Sequence, residues 1–441
     1  MVSLGCAKNR VDSEVMLGYL KEAGFRISTK PEECHILIIN TCAFISSARE
    51  EAMSTIREMA EYKEKGKCKR LVVTGCLPQL YRQRLLSSFP KIDYILGVDH
   101  LDTIVELSQS DSLPRTNHFA FSPVPTYLYD HLTPRVISTP PYSAYVKIAE
   151  GCSHACAFCL VPALRGRYRS RDVDSVVTEV EGLVSRGVRE VNLVAQDTTF
   201  FGFDRGVKGA LVKLLKRLVR ISDLKWIRLL YCHPERVDDQ LLAVIAEEEK
   251  VCSYLDIPLQ HIDKELLRLM GRKGDRDSFT ALITRIRKVV PDIALRTTFM
   301  VGFPSDSEEK FGLLCDFCRE MEFDHLGVFT YCREKGTRAY RYGDAIPQKV
   351  KEDFKRRLME LQASISLKKN KAMVGNVREV MIEGEREGDS YPYWGRLSIQ
   401  APEVDGVVFI SEGESHPGEF VPVRIEEGYP YDLVGRICSL E

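Results

Sequence analysis

Three short apolar runs recur in the first part of the chain, Val2-Ser3-Leu4-Gly5, Ile36-Leu37-Ile38-Ile39 and Leu71-Val72-Val73, each followed within a few residues by a cysteine. Residues 11–23 and 46–62 lie between them and repeat apolar positions at helical spacing. Strand, helix, strand, helix, strand predicts an α/β unit over residues 1–117, an N-terminal doubly wound parallel sheet. Residues 118–141 include a proline-rich stretch and read as a linker. Six further apolar runs, at 144–149, 191–195, 227–231, 254–257, 295–301 and 325–331, alternate with amphipathic segments. That alternation predicts a central partial (β/α)6 barrel over residues 142–346, with its active site at the carboxyl ends of the strands. Val350, Phe354, Leu358, Leu361 and Ile365 share one helical face, so residues 347–372 read as a linker helix. Short alternating strands at 377–382, 407–410 and 420–425, broken by glycine and proline, predict a small C-terminal β-barrel over 373–441.

Bulk composition changes this picture little. The 441 residues, 44% hydrophobic and 28% charged, suit a soluble protein of two or three domains. No apolar run approaches the ~20 residues of a membrane span, and the N-terminus lacks a signal-peptide pattern, so a cytoplasmic protein with no membrane partner is expected. Charge is more informative. The formal net charge of -1 hides an asymmetry, because residues 373–441 hold fourteen acidic side chains against five arginines and no lysine. That segment is near -9 and the remainder near +8. An acidic barrel repels RNA and attracts a basic protein.

Fourteen cysteines in a reducing compartment point to metal or catalysis rather than a disulfide framework. Cys6, Cys42 and Cys76 each end an expected parallel strand, and parallel strands share one carboxyl edge, so the three should converge. Cys34 and Cys68 precede their strands and read as packing residues. Cys152, Cys156 and Cys159 form a Cys-x3-Cys-x2-Cys run directly after an apolar strand. Three thiolates without a neighbouring fourth suit a cubane iron–sulfur cluster with one iron left open. The alternative is a zinc knuckle completed by His154 or Cys232, in an interaction protein without catalysis. Polar or turn-forming residues follow the barrel strands at Gln196-Asp197-Thr198, Cys232-His233-Pro234, Pro258-Leu259-Gln260-His261, Gly302-Phe303-Pro304 and Cys332-Arg333, outlining a mouth. Arg165, Arg167, Arg169 and Arg171 can hold anions or form a solvated face. No role is assigned to Cys315, Cys318 or Cys332.

The cysteine loop resembles that of the radical S-adenosylmethionine enzymes, and Ser3-Leu4-Gly5-Cys6-Ala7-Lys8-Asn9-Arg10-Val11-Asp12-Ser13-Glu14 resembles the opening of their methylthiotransferase family. Arg165 to Arg171, Asp256 to His261 and Thr297 to Pro304 are similar to that family's pattern, and residues 373–441 resemble a TRAM domain. Only Met1 and Val2 precede Ser3, where family members usually carry a longer first strand. The resemblance implies two 4Fe-4S clusters, one on Cys152, Cys156 and Cys159 that cleaves S-adenosylmethionine, the other on Cys6, Cys42 and Cys76 that carries the sulfur to be inserted. It implies contacts to S-adenosylmethionine from Gln196, Gln260 and Gly302. The implied reaction adds a methylthio group to an aspartate β-carbon of the small-subunit ribosomal protein S-twelve. A low-potential electron donor such as flavodoxin or ferredoxin, and a sulfur source, would be needed. A sister branch of the family acts on an adenosine of transfer RNA. The acidic tail favours the basic protein and makes RNA binding by that tail unexpected.

Overall fold

The computed structural model describes every residue except 110–118, 387, 389, 440 and 441. The expected domain limits at Asn117 and Glu441 therefore lie outside the described residues. Strands β1 (Val2–Ser3), β2 (Ile36–Thr41), β3 (Arg70–Gly75), β4 (Tyr94–Leu96) and β5 (Phe119–Ala120) form one parallel sheet in sequential order. Side chains alternate between its faces with a period of two. Leu37, Ile39, Leu71, Val73 and Ile95 pack under the Ser46–Lys65 helix, whereas Ile38, Val72 and Leu96 pack under the Ala7–Glu22 helix. Helices thus cover both faces. With sequential order, the edge holding the strand ends is formed by neighbours β1, β2 and β3, where all three cysteines lie.

The central unit comprises β6 (Ser143–Lys147), β7 (Glu190–Val194), β8 (Trp226–Leu229), β9 (Tyr254–Asp256), β10 (Ala294–Val301) and β11 (His325–Thr330). The order is β8-β7-β6 and β9-β10-β11, all parallel. The Ile227 to Val251 bridge and backbone bonds such as Cys252 N to Ile227 O (3.0 Å) and Cys232 N to Asp256 O (2.8 Å) link the halves, and no described pairing joins β6 to β11. The result is an open barrel. Its outer side packs Val146, Leu193, Ile227 and Leu255 on helices such as Val173–Val184 and Ala210–Leu218. On the other side Tyr145, Trp226, Tyr254 and Ala294 meet Val11 and Val15 of the N-terminal helix and Met381 and Ala401 of the tail. Both flanking units are therefore seated on the barrel by apolar burial.

The tail is a closed barrel of β12 (Val377–Glu385), β13 (Tyr393–Leu397), β14 (Val408–Ile410), β15 (Phe420–Gly428) and β16 (Leu433–Ile437), around Val380, Ile382, Leu397, Val408 and Ile425. The sequence reading names β12, β14 and β15 only. The helix Gln348–Ala372 sinks Phe354 and Leu358 into the central core, with Phe354 stacked on Phe311 at 4.2 Å. Glu190 is fully buried and receives Arg396 at 2.6 Å and Arg228 at 3.0 Å, so a tail arginine and a barrel arginine share one carboxylate. Asp405 likewise meets Arg296 at 2.5 Å and Tyr254 at 2.8 Å. The stretch read as a linker is a packed strap: Arg135 is buried between Glu14 at 2.5 Å and Glu179 at 2.7 Å.

Candidate functional site

Cys6 precedes the Ala7–Glu22 helix, Cys42 follows β2, and Cys76 opens the short Cys76–Tyr81 helix after β3. Gly5 shows how tightly this edge is drawn together. Its φ is +92°, and a Cβ added there would stand 2.7 Å from the Cys42 Cβ and 3.1 Å from its sulfur. Only glycine combines that backbone with that approach. Burial pushes the Cys76 thiol up to about 11 although Arg165 Nη2 lies 3.6 Å from its sulfur. Burial also raises Cys42, and a charge on Cys6 adds to it. Cys6 is exposed yet closely ringed by protein. Burial there opposes ionisation, but the charges of Lys8 and Arg165 and the backbone N–H groups of Asn9 and Lys8 outweigh it and hold Cys6 below its ordinary range.

Across the interface, the loop of Cys152, Cys156 and Cys159 leaves β6 through Gly151, whose φ is +78° and whose absent Cβ would fall 2.2 Å from the Arg167 carbonyl oxygen. Backbone bonds from Cys152 N to Gly166 O (3.1 Å), Ala157 N to Met270 O (2.7 Å) and Ala339 N to Ala157 O (2.7 Å) pin the loop in place. The backbone N–H groups of His154 and Val161 donate to the Cys152 and Cys159 sulfurs, each at 3.4 Å, and Arg272 Nη1 lies 4.0 Å from Cys156. Such donors stabilise thiolate sulfur in iron–sulfur sites. Burial raises Cys152 to about 11 and Cys159 to about 12, with the neighbouring thiols adding to it. These thiols stay protonated until a metal takes the sulfur, so ligation would release protons. Among the described residues no three His, Cys, Asp or Glu side chains are gathered for a single metal ion. A cubane asks for something wider, because each cysteine takes a different iron.

A buried ionic network joins the N-terminal helix to the barrel and reaches Cys76. Arg165, 4% exposed, donates to Asp12 (2.7 Å) and Asn9 (2.9 Å) of the N-terminal helix, to Glu150 (3.2 Å) of the barrel, and to Cys76. Lys147 joins the same two carboxylates, Asp12 and Glu150, the latter at 2.5 Å. Glu150 is buried, yet Lys147 and Arg165 hold its carboxyl well below the usual range. Gln196 Nε2 donates to Glu150 at 2.8 Å while its buried Oε1 has no protein partner, a free acceptor at a strand end. Gln260 sits at φ +73° where a bridge joins it to Phe299. Gly302 donates its N–H to Asp306 at 2.7 Å, and the space where its Cβ would be holds the Lys351 stem at 2.3 Å, a packing reason for glycine there.

The basic run divides. Arg165 and Arg171 are buried in ion pairs, Arg171 with Glu179 at 2.5 Å, Arg169 donates to backbone carbonyls, and Arg167 alone is exposed. Of the two fourth ligands considered for zinc, His154 is committed, its Nε2 to Asp197 at 2.7 Å and its ring stacked on His233 at 4.3 Å, and Cys232 is buried. Asp12, Lys147 and Glu150 were not singled out from the sequence. Their one signal is a lysine and a glutamate three apart at the end of an otherwise apolar run just before the cysteine loop.

Residues 1–97 match the uncharacterized protein family UPF0004, 146–318 the radical SAM superfamily and 374–438 the TRAM domain. The ribosomal protein uS12 methylthiotransferase RimO of Syntrophotalea carbinolica is 47% identical over 439 residues, covering 100% of this chain and 96% of that protein. The chain belongs to the RimO family of methylthiotransferases. Another RimO, from Desulforamulus reducens, is 46% identical over 440 residues, 100% of this chain and 99% of that one. The RimO match makes this chain a radical S-adenosylmethionine enzyme that works with 4Fe-4S clusters. In fold it is similar to the radical S-adenosylmethionine methyltransferase TsrM from Kitasatospora setae, solved with cobalamin and a 4Fe-4S cluster bound, at TM-score 0.52 and 16% identity over 74% of this chain and 72% of that one.

Proposed function

We propose that this RimO-family chain adds a methylthio group to the β-carbon of an aspartate in ribosomal protein uS12, with Cys152, Cys156 and Cys159 holding one 4Fe-4S cluster and Cys6, Cys42 and Cys76 the other. What supports this reading is that Cys6, Cys42 and Cys76 lie at the ends of three neighbouring parallel strands of a unit docked on the barrel, and that Arg165, shortly after the Cys152–Cys159 loop, pairs with Asp12 and Glu150 and donates to Cys76. The residues fit the clusters: backbone N–H groups point at two of the loop sulfurs, and the missing Cβ of Gly5 leaves room for Cys42 against the strand end that carries Cys6. When bound, the open-iron cluster and S-adenosylmethionine supply a 5′-deoxyadenosyl radical, which an unactivated C–H bond requires because no side-chain base can take that proton at neutral pH.

The chain's own groups prepare the site. Gln196 presents a free carbonyl oxygen where the cofactor would lie, with Gln260 and Gly302 at neighbouring strand ends. Arg165 and Lys147 fix the spacing of the two units through Asp12 and Glu150, so the substrate β-carbon is held between a hydrogen-abstracting and a sulfur-delivering centre. Exposed Glu379, Glu385, Glu412, Glu414, Glu426 and Glu427 give the tail a negative surface suited to a basic ribosomal protein and unsuited to RNA. A low-potential donor such as flavodoxin or ferredoxin supplies the electron, a separate source supplies the sulfur, and the setting is the cytoplasm. No helix among the described residues is long and apolar enough to cross a membrane. The test is mass spectrometry of uS12 from cells with and without the gene. A methylthio adduct on one aspartate, present only with the gene, is expected; unmodified uS12 in both would refute the substrate.

A further inference from the structure

A basic cleft of about 620 Å³ lies where the N-terminal unit meets the segment after the last barrel strand. One wall is Leu80 to Arg84, at and beyond the end of the Cys76–Tyr81 helix, and the other is Arg333 to Gly336, which follows β11. Arg49, Arg82, Arg84, Arg333 and Lys335 line it, together with Glu334. Arg49 takes that carboxylate at 2.7 Å, both side chains being largely buried. The other four cations are exposed, and among the described residues none of them forms an ion pair. Arg82 also holds φ +51°, a backbone region costly for any residue but glycine and one that gathers at binding sites. Uncompensated charge of one sign in a concave site concentrates partners of the opposite sign.

Both walls lead to candidate cluster ligands. The first belongs to the helix that begins at Cys76. The second continues into Arg338 and Ala339, which hold the loop of Cys152, Cys156 and Cys159: Arg338 Nη2 donates to Ala155 O at 3.1 Å and Ala339 N to Ala157 O at 2.7 Å. Gly271, at φ +71°, leaves room for that approach, since a Cβ there would stand 2.4 Å from Arg338 Nη2 and 2.5 Å from the Ala155 oxygen. Charge is thus sorted across the molecule, with an acidic C-terminal barrel at one place and a basic cleft backed by the cysteine loop at another. A basic protein is repelled from this cleft and an acidic one is drawn to it.

We infer that this cleft is the docking site of the one-electron donor, a small protein that presents an acidic face to Arg82, Arg84, Arg333 and Lys335. The inference rests on the assignment of a 4Fe-4S cluster to Cys152, Cys156 and Cys159, not on uS12, and adds where the reductant lands and the sign of its surface. In the step served, the donor loses one electron to that cluster, and the same electron passes to the sulfonium of S-adenosylmethionine, whose C5′–S bond breaks to give methionine and the 5′-deoxyadenosyl radical. Docking through a few exposed charges suits a partner that must leave after delivering its electron, as the small interfaces of redox encounters do. RNA phosphates would also be attracted by four cations. The contact of the second wall with the cysteine loop is what favours a reductant.

The test uses the full chain with both clusters reconstituted, and two reductants: reduced flavodoxin, an acidic protein, and dithionite, which is too small to need a docking face. Two quantities are read, the Kd for flavodoxin at low and high salt and the rate of 5′-deoxyadenosine formation with each reductant. The parent should bind flavodoxin and lose affinity as salt rises. Arg84→Glu combined with Lys335→Glu should raise that Kd at least about tenfold and slow the flavodoxin-driven reaction, with iron content and the dithionite-driven rate unchanged. Arg84→Lys combined with Lys335→Arg should behave as the parent. An unchanged Kd in the charge-reversed variant, or a parent that does not bind flavodoxin at low salt, would overturn the assignment. So would an equal fall in rate with dithionite, which would make the two residues structural. Loss of binding to an RNA oligonucleotide with flavodoxin binding intact would make the cleft an RNA site instead. A parent that makes no 5′-deoxyadenosine with dithionite would sink the cluster assignment, and the docking site with it. Neither readout contains uS12, so that reading stands or falls separately.

Discussion

A thiol becomes a metal ligand by losing a proton, and the six candidate ligands differ in how hard that is. Cys6 is held low by Lys8 and Arg165, whereas burial leaves Cys76 and Cys152 near 11. Iron analysis separates the trios: about eight irons per chain are expected of the parent, since two cubanes require that number, and about four of Cys76→Ala or Cys152→Ala. Cys152→Ala should make no 5′-deoxyadenosine, while Cys76→Ala should still make it without methylthiolating uS12. Gly5→Ala should act like Cys76→Ala at lower severity. It places a Cβ 2.7 Å from that of Cys42 and forces a left-handed φ worth about 1–3 kcal/mol, so partial loss of the second cluster's iron is the expected readout. That Cys6, Cys42 and Cys76 share one edge of the sheet was legible in the sequence, because each follows a recognisable strand and parallel strands end together. The setting of Lys8 was not: on its helix it resembles any polar position, and only the fold shows that it is buried against the Tyr231 ring beside Cys6.

Elements meet here through buried charge as well as apolar packing. The Ala7–Glu22 helix brings Asp12 to Lys147 and Arg165, residues far away in the chain. Removing one partner leaves two cations short of an anion, so Asp12→Asn should destabilise the protein by about 3–5 kcal/mol in denaturant unfolding, more than any exposed pair such as Lys65 with Glu61. A loss below about 1 kcal/mol would show that the network does not join the domains. This network was illegible beforehand because Asp12 and Glu14 look like the solvated face of an amphipathic helix, yet both are buried. The strap around Arg135 hid for the same reason, its proline content suggesting a loose connection. Strands β13 and β16 escaped because each is short and interrupted by a central glycine, Gly395 and Gly435.

At the scale of the whole molecule, the tail is held by carboxylates that must stay ionised. Glu190 is buried, but Arg396 and Arg228 lower its carboxyl to about 2. A depressed acid stabilises the fold above its unfolded range, so the contribution, roughly 3 kcal/mol, is complete above about pH 5 and lost as pH falls toward 2. Acid unfolding should therefore begin with release of the C-terminal barrel, and Glu190→Gln should flatten that pH dependence. Three units in this order, each with its core, were readable from the alternation of strand and helix patterns. Their docking was not, because the pairs that align them, Arg396 with Glu190 and Arg296 with Asp405, are long-range and buried. The whole arrangement exists, on this account, to bring one aspartate β-carbon between two clusters. The direct check is to give the reconstituted chain uS12 deuterated at the aspartate β-carbon, with S-adenosylmethionine, a sulfur source and a reductant, and to follow the label by mass spectrometry. Deuterium should appear in 5′-deoxyadenosine while the same aspartate gains a methylthio group; unlabelled 5′-deoxyadenosine, or a methylthio group at any other residue, would contradict it.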